Sequence, residues 1–282
     1  MARDLLPLVQ KALGDRYHVD REIARGGSGR IFLARTPEGT EVALKVLHPE
    51  LQVSVAADRF LREIEVLSSM EHPHITRLLD YGEADWVVYF VMEYEEGITL
   101  RKHLDRARQL SISDTLHIAD HMLDALSYAH DRGIVHRDVK PDNIVITAKG
   151  AMLLDFGIAR AIEVAGSQQL TRSGFTVGTS TYMSPEQAAA LKGLDHRSDL
   201  YSLGCVLFEC FAGQPPFVHH SEAVVLELHQ REPPPDVSLK RAEATPFAKA
   251  LTKALAKKPD ERWQTAHEMR QAMAQAAAAI QG

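Results

Sequence analysis

The octapeptide HRDVKPDN at residues 136–143 constrains this chain more than any other stretch of its sequence. It holds an imidazole, a guanidinium, two carboxylates, an ammonium and a carboxamide, a polar density that is unusual for a structural loop. The alternative is a charged surface turn, because helical periodicity precedes it and strand-like residues follow it. As chemistry, Asp138 can accept a proton from a hydroxyl, Lys140 can neutralise a phosphoryl oxygen, and Asn143 can offer an oxygen to a divalent cation. These groups together favour phosphoryl transfer.

Further motifs occur in an informative order around this octapeptide. DFG at residues 155–157 follows it beyond a short predicted strand, and VALK at 42–45 and a glycine-rich turn lie upstream. In this order the motifs resemble those of the protein kinase family. The resemblance extends from about Tyr17 to about Thr265, and Ser-Pro-Glu-Gln at 184–187 is most similar to the bacterial serine/threonine kinases of the eukaryotic (Hanks) type.

The resemblance implies an α+β, bilobal protein-kinase fold. Residues 1–92 are expected to form a small β-rich N-lobe with one main helix, residues 93–97 a hinge, and residues 98–282 a larger, mainly helical C-lobe. The active site is expected in the cleft between the lobes.

Hydrophobic periodicity gives an independent prediction of the elements. Strands are predicted within 17–47, with a hairpin turn at 36–40, and at 77–81 and 86–92, followed by a change from strand to turn to helix through MEYEEGITL. Helices are predicted at 4–13, 56–70, 115–131, 198–211 and 265–280. The helix at 198–211 is apolar nearly all round and is therefore expected to be the buried centre of its lobe.

Composition excludes several other classes of protein. A net charge of −6 and a pI near 6.2 argue against a general nucleic-acid binder. No apolar run reaches the roughly 18 residues that a membrane span requires, and the N-terminal residues lack the features of a signal peptide. Cys205 and Cys210 lie five apart in a predicted helix, where they could not pair. We interpret them as buried side chains rather than metal ligands and predict a cytoplasmic location, either for the whole protein or for the cytosolic domain of a longer, membrane-anchored one.

The glycine-rich turn is a weak signal by itself, and a plain hairpin is its simplest interpretation. Its glycines permit close approach of backbone amides to phosphate oxygens, and Lys45 follows sixteen residues after Gly29, so we interpret it as a nucleotide lid. In the family pattern G-x-G-x-x-G-x-V, Ala24 stands in the first position, a departure that concerns the mobility of the lid rather than nucleotide binding. The resemblance implies ATP contacts from Ile23, Gly26, Gly27, Ser28, Gly29, Ile31, Ala43, Lys45, Met92, Glu93, Glu95 and Val145.

The resemblance also assigns roles in catalysis. Lys45, paired with Glu63, is expected to hold the α- and β-phosphates. The alternative is that both residues belong to solvated surface ion pairs, which is more common for any Lys and Glu. Asp138 is expected to orient the acceptor hydroxyl and accept its proton, and Lys140 to contact the transferred phosphoryl group. Asn143 and Asp155 are the expected ligands of Mg²⁺, for which Mn²⁺ is a substitute.

Two structural roles follow from the same resemblance. Asp199, at the start of the central helix, is expected to accept backbone hydrogen bonds from the catalytic loop; the alternative is a simple N-terminal helix acid. Arg262 is expected to pair with Glu186.

The segment Gly157–Thr179 is rich in hydroxyl groups and could be an ordinary loop. Because Arg137 directly precedes Asp138, as in kinases whose loop is ordered by a phosphate, we predict autophosphorylation at Thr171 and Ser173, with Thr176 as a weaker candidate. Thr179 is expected to bridge Asp138 and Lys140, and together with Lys140 it indicates serine/threonine rather than tyrosine acceptors. A homodimer for phosphorylation in trans is a further expectation.

Two alternatives from other functional classes remain at this point. A pseudokinase would keep the fold as a scaffold without turnover, but Lys45, Glu63, Asp138, Asn143 and Asp155 are all present. A phosphotransferase of small molecules would need a different acceptor site, and such enzymes lack the long segment before Ser-Pro-Glu.

Overall fold

The computed structural model describes residues 5–26, 29–47, 64–65, 67–85, 87–156, 180–191 and 193–281. The chain divides into two compact units. The first comprises residues 1–71, 76–96 and 157–177, and the second residues 72–75, 97–156 and 178–282.

An antiparallel sheet with strand order β1-β2-β3-β5-β4 forms the first unit. Its strands are β1 (His18–Arg25), β2 (Gly29–Arg35), β3 (Glu41–Leu47), β4 (Leu78–Ala84) and β5 (Val87–Glu93). Alternate side chains of the central strands, such as Val42, Leu44 and Val46 of β3, are buried on one face.

Helix α1 (Leu6–Leu13) covers that face of the sheet. Val9 and Leu13 pack into a cluster with side chains of β2, β3 and β5. The helix begins two residues later than the predicted position 4, with a proline in its first turn, where the missing N–H costs nothing. Gln10 fixes the helix to β1, because its Oε1 accepts a 2.7 Å hydrogen bond from the Val19 N–H.

The predicted helix at 56–70 is described only in part. Residues 64, 65, 67 and 68 are helical, and Ile64 and Leu67 are buried as the predicted stripe requires. Glu63 lies outside the described residues.

The second unit is mainly helical and carries a small antiparallel sheet, β6 (Gly97–Thr99), β7 (Ile144–Thr147) and β8 (Gly150–Leu153), with strand order β6-β7-β8. Strand β6 was not predicted. It lies against β7 so closely that a Cβ on Gly97 would come within 2.3 Å of the Ile146 carbonyl oxygen, which explains the glycine. The helices of this unit are α2 (Leu100–Ala107), α3 (Ile112–His130), α4 (Pro185–Ala188), α5 (Arg197–Ala212), α6 (Glu222–Arg231), α7 (Ala248–Ala254) and α8 (Ala266–Gln281).

The predicted long helices are confirmed with small shifts of their ends. Helix α3 begins three residues before the predicted start, because the Ser111 hydroxyl caps it by accepting a 3.0 Å hydrogen bond from the Asp114 N–H. Helix α5 is buried from Ser198 to Phe211, as its all-round apolar sequence indicates. It ends at Gly213, whose φ of 77° is left-handed.

The two cysteines lie inside α5, both buried and free. Burial raises the pKa of both thiols, which keeps them protonated and unreactive. Among the helices of the described residues, none is both long and apolar enough to cross a membrane.

Candidate active site

The catalytic loop, residues 136–143, is held by the carboxylate of Asp199 at the start of α5. Asp199 Oδ2 accepts a 2.8 Å hydrogen bond from the His136 N–H, and Oδ1 accepts one of 2.8 Å from the Arg137 N–H. His130 Nε2 lies 2.9 Å from Oδ2. Burial alone would raise the pKa of Asp199, but these hydrogen bonds hold it below its usual value. The predicted role of Asp199, to accept backbone hydrogen bonds from the catalytic loop, is therefore confirmed.

His136 connects the catalytic loop to the DFG segment. Its Nδ1 accepts a 3.2 Å hydrogen bond from the Asp138 N–H, so Nε2 carries the proton and donates to the Leu154 carbonyl oxygen at 2.8 Å. The ring also meets Phe156 edge-on, with centroids 4.7 Å apart. The fully buried imidazole thus fixes two stretches of chain that are far apart in sequence.

Asp138, Lys140 and Asn143 are brought together around one carboxylate oxygen. Lys140 Nζ lies 2.7 Å from Asp138 Oδ2, and Asn143 Nδ2 donates to the same oxygen at 3.0 Å and to the Asp138 carbonyl oxygen at 2.8 Å. Because both groups contact Oδ2, they orient the carboxylate without using its other oxygen, Oδ1, as a hydrogen-bond acceptor. Such an oxygen is suited to receive a hydroxyl proton.

The backbone is strained at two positions of this region. Arg137 has a φ of 68° and Asp155 a φ of 59°, values that cost free energy in residues other than glycine. The Arg137 conformation is supported from outside the loop, since its carbonyl oxygen accepts a 2.7 Å hydrogen bond from Gln187 Nε2. Strain of this kind concentrates at functional sites.

The donor atoms near Asp138 fit a hard divalent cation. Both partners of the Asn143 amide nitrogen are oxygens, so the nitrogen must face them, and Oδ1 is the atom left for a cation. The Asn143 carbonyl oxygen accepts a 2.8 Å hydrogen bond from the Leu154 N–H. Asp155, the second candidate ligand, directly follows Leu154 in the chain. In the described ranges, no group of three or more His, Cys, Asp or Glu residues could hold a metal ion. A carboxamide and a carboxylate suit a cation that takes its other ligands from phosphate and water.

Four of the predicted nucleotide contacts, Ile31, Ala43, Lys45 and Met92, share one face of the sheet in the first unit. Ile31 is paired with Lys45 across β2 and β3, and Ala43 with Met92 across β3 and β5. Their neighbours Phe32, Leu44 and Val91 lie in the cluster beneath α1, so these four side chains are on the opposite face. Lys45 is only 5% exposed, which argues against a solvated surface lysine.

The glycine-rich turn is a hairpin between β1 and β2. The N–H groups of Gly26 and Gly29 each donate to the carbonyl oxygen of the other, at 2.9 and 3.4 Å. A Cβ on Gly29 would lie 2.1 Å from the Val46 carbonyl oxygen, which makes glycine obligatory there. Ile23 sits at a β-bulge in β1, where Ala24 rather than Ile23 pairs with Ile31.

The remaining predicted contacts are placed as follows. The Glu93 N–H donates to the Arg77 carbonyl oxygen at 3.0 Å, which leaves its own carbonyl as the candidate for an adenine contact. Glu95 follows the end of β5, and Val145 is buried in β7 of the second unit. Several predicted residues lie outside the described part of the chain: Gly27, Ser28, Glu63, Thr171, Ser173, Thr176 and Thr179.

The Glu186–Arg262 pair is confirmed. The Arg262 guanidinium is fully buried and binds both carboxylate oxygens of Glu186, at 2.8 and 2.7 Å, while the Ser198 hydroxyl donates to Oε1 at 2.5 Å. Burial would raise the pKa of Glu186, but these partners lower it. The pair holds α4 against the start of α5.

Sequence reasoning missed two other groups that hold this region. Gln187 donates to Arg137 while its Oε1 accepts from the Ser184 N–H, and the Ser-x-x-Gln spacing of a capping box was a signal for half of that role. The second group is Tyr182, whose hydroxyl donates to the buried Glu209 at 2.5 Å, with Arg101 at 2.8 Å from the same carboxylate. No local pattern signals that network.

The site and the fold are those expected of a protein kinase, and comparison with known proteins agrees. The protein kinase domain family matches residues 17–275, so the chain belongs to the protein kinase family. The predicted α+β kinase fold and the predicted resemblance to the protein kinase family, with bacterial serine/threonine kinases among the relatives, are thereby confirmed.

Individual bacterial relatives match most of the chain. The serine/threonine-protein kinase PknB of Mycolicibacterium smegmatis is 41% identical over 92% of this chain and 42% of its own length. A probable serine/threonine-protein kinase of Streptomyces coelicolor is 42% identical over 92% of this chain and 40% of its own length. PknB of Mycobacterium tuberculosis is 40% identical over the same share of this chain. The chain thus spans about two fifths of the length of these relatives.

Family membership supports the cofactor and partner predictions at a coarse level. Protein kinases use ATP with a divalent cation and act on proteins, which agrees with the predicted cofactors and partners.

Proposed function

We propose that this chain transfers the γ-phosphate of ATP, with Mg²⁺, to serine and threonine hydroxyls of proteins. The observation that carries the proposal is the arrangement at Asp138 Oδ2, which Lys140 Nζ and Asn143 Nδ2 approach to 2.7 and 3.0 Å. It aims the carboxylate, as acceptance of a hydroxyl proton requires.

The chain's own residues divide the work of positioning. Asp138 orients the acceptor hydroxyl and accepts its proton. Lys140, whose ammonium lies beside that carboxylate, neutralises negative charge on the transferred phosphoryl group. Asn143 Oδ1 and the Asp155 carboxylate would hold Mg²⁺, which supplies charge neutralisation on phosphate oxygens when bound. We choose Mg²⁺ because the candidate ligands are hard oxygens, and Mn²⁺ would substitute for it.

Nucleotide recognition belongs to the face of the first unit's sheet that carries Ile31, Ala43, Lys45 and Met92. Ala43 and Met92 are apolar neighbours in register, a suitable wall for an adenine ring. Lys45, which is little exposed on β3, is proposed to hold a phosphate, with Glu63 as its proposed partner.

Regulation, location and assembly stay proposals. Thr171 and Ser173, with Thr176 as a weaker candidate, are proposed autophosphorylation sites, and Arg137 the group that receives the phosphate. Thr179 is proposed to bridge Asp138 and Lys140. The following are likewise proposals: the lobe and hinge boundaries, a cytoplasmic location, a homodimer for phosphorylation in trans, and protein substrates of the whole protein.

The proposal is tested by initial rates of phosphate transfer from Mg-ATP to serine and threonine peptides. We expect Asp138→Asn to lower kcat by about 10³-fold, because the amide cannot accept the proton. Asp131→Asn, which removes an exposed carboxylate at the end of α3, is the matched control and should keep the wild-type rate. Equal rates for wild type and Asp138→Asn would refute the proposed role, and transfer to small-molecule acceptors alone would favour a different phosphotransferase.

A further inference from the structure

His229 of α6 is a buried histidine whose two ring nitrogens both have partners. Nε2 lies 3.0 Å from the Thr181 carbonyl oxygen, and Nδ1 lies 3.0 Å from the Tyr201 hydroxyl. A carbonyl oxygen only accepts, so Nε2 carries a proton, and in the neutral imidazole the Tyr201 hydroxyl donates to Nδ1. The side chain has no exposed surface.

The surroundings of His229 keep it neutral. Burial, with a smaller contribution from the ammonium of Lys257, lowers the pKa of His229 to about 4. Lys257 Nζ contacts the Leu228 carbonyl oxygen at 3.3 Å and the Tyr201 hydroxyl at 3.4 Å. Phe217 closes the site, since its ring meets the imidazole edge-on at 5.0 Å between centroids.

Thr181 belongs to a short helical turn, Ser180–Tyr182, which we call the anchored turn. The turn is closed by a 3.2 Å hydrogen bond from the Met183 N–H to the Ser180 carbonyl oxygen. On one side the Tyr182 hydroxyl is bound to Glu209 of α5, and on the other the Thr181 carbonyl is bound to His229 of α6. The anchored turn is thus held between two helices by one polar contact from each.

The chain that follows the anchored turn leads directly to the catalytic loop. Ser184 caps α4, and Gln187 of that helix donates to the carbonyl oxygen of Arg137, the neighbour of Asp138. The anchored turn is thus connected, through the cap residue Ser184 and Gln187 of α4, to the backbone beside Asp138.

We propose that His229 is a positioning residue for the protein acceptor, because its Nε2–H fixes the Thr181 carbonyl and, with it, the anchored turn that is connected through α4 to the backbone beside Asp138. The inference rests on the proposed function and extends it to one residue. Three of the proposed nucleotide contacts, Lys45, Ala43 and Met92, stand on strands of the other unit. Loss of the contact should therefore weaken use of the acceptor and leave the KM for ATP unchanged.

Two conservative variants separate this role from simple packing. His229→Gln places an amide nitrogen near the position of Nε2 and can keep the bond to Thr181. His229→Asn is one carbon shorter, so it can satisfy the Tyr201 hydroxyl but does not reach Thr181. Tyr201→Phe is the matched control, because it disturbs the same buried cluster while leaving the Nε2–H bond to Thr181 in place.

The experiment measures kcat and KM for a phosphorylatable peptide and for ATP, together with hydrogen exchange at the Met183 amide. We expect His229→Asn to raise the peptide KM about tenfold and to speed exchange at Met183 by a similar factor, as the loss of one buried hydrogen bond allows. His229→Gln and Tyr201→Phe should stay within about threefold of wild type, and the KM for ATP within about twofold in all three.

Two other results have different meanings. If the wild type is active but His229→Asn leaves the peptide KM and Met183 exchange unchanged, or if all three variants raise the peptide KM in step with their loss of thermal stability, this inference is overturned and the proposed function stands. If the wild type transfers no phosphate to any protein or peptide, the proposed function itself falls, and the inference with it.

Discussion

The catalytic loop and the anchored turn are both fixed by a buried polar side chain, but the two holding groups differ in charge. Asp199 holds the loop with an ionised carboxylate that accepts hydrogen bonds from two backbone amides. His229 holds the turn with a neutral imidazole that donates one hydrogen bond. A buried charge is strongly destabilising when its partners are lost, whereas a neutral group loses about one hydrogen bond. The loop should therefore be the more rigid of the two.

The largest effect is expected from Asp199→Asn. The substitution replaces one acceptor oxygen by an NH₂ group that must face a donor, His130, His136 or Arg137. We expect the free energy of unfolding to fall by about 3 kcal/mol and kcat by about 10²-fold or more, because the backbone on both sides of His136 is released. Denaturant unfolding and peptide kinetics measure the two. A loss smaller than that of His229→Asn would reverse the comparison.

The pH dependence of stability should distinguish the two holding groups. The folded-state pKa of His229, about 4, lies below the value near 6.5 of an unfolded histidine, so the unfolded state binds more protons between these limits. Its contribution is fully present above pH ~6.5 and is lost as the pH falls towards ~4, by roughly 3 kcal/mol in all. Asp199, whose pKa is lowered from 3.8, should contribute a nearly constant amount over that range.

The measurement is the free energy of unfolding of wild type and His229→Gln between pH 7 and about 4.5. Because the other titrating groups are common to both proteins, the difference isolates His229. The wild type should lose more stability than the variant as the pH falls. Parallel curves would show that His229 titrates normally and is not held neutral.

The smallest effect is expected at Gln187, which connects the two regions. Gln187→Ala removes the bond to the Arg137 carbonyl oxygen and half of the capping box of α4. We expect a loss of about 1 kcal/mol in stability and a fall of roughly threefold to tenfold in kcat. Gln187→Glu should keep the cap but not the donor, so it should retain stability and lose activity. Full activity in Gln187→Glu would show that the two regions are not coupled through this side chain.

The parts of this structure that could be predicted either have a local signal or match the family pattern. The octapeptide at 136–143 carries its chemistry in adjacent residues, and the buried helix α5 is written as an apolar run with one acid at its start. The pairing of Arg262 with Glu186 was predicted through the family resemblance. In each case residue type and position were informative before any fold was known.

The parts that could not be predicted depend on distant partners. His229 stands on a helix of ordinary amphipathic sequence, and its acceptor lies 48 residues away, so nothing local marks it as buried. Strand β6 is three residues long and exists because β7 lies beside it. The glycine-rich turn was predicted from composition, but the use of the Gly26 and Gly29 amides within the hairpin is a property of the closed turn. Tertiary contacts decided each of these.

The central claim is that Asp138 accepts the proton of the acceptor hydroxyl when this chain transfers phosphate. It is tested most directly by intact mass after incubation with Mg-ATP. Wild type and Asp138→Asn are compared, with binding of ATP measured for both. We predict that the wild type gains phosphate, that Asp138→Asn gains none, and that both bind ATP alike. Equal phosphate incorporation in the two proteins would contradict the role of Asp138, and no incorporation in either, with ATP bound by both, would contradict self-phosphorylation and favour a scaffold without turnover.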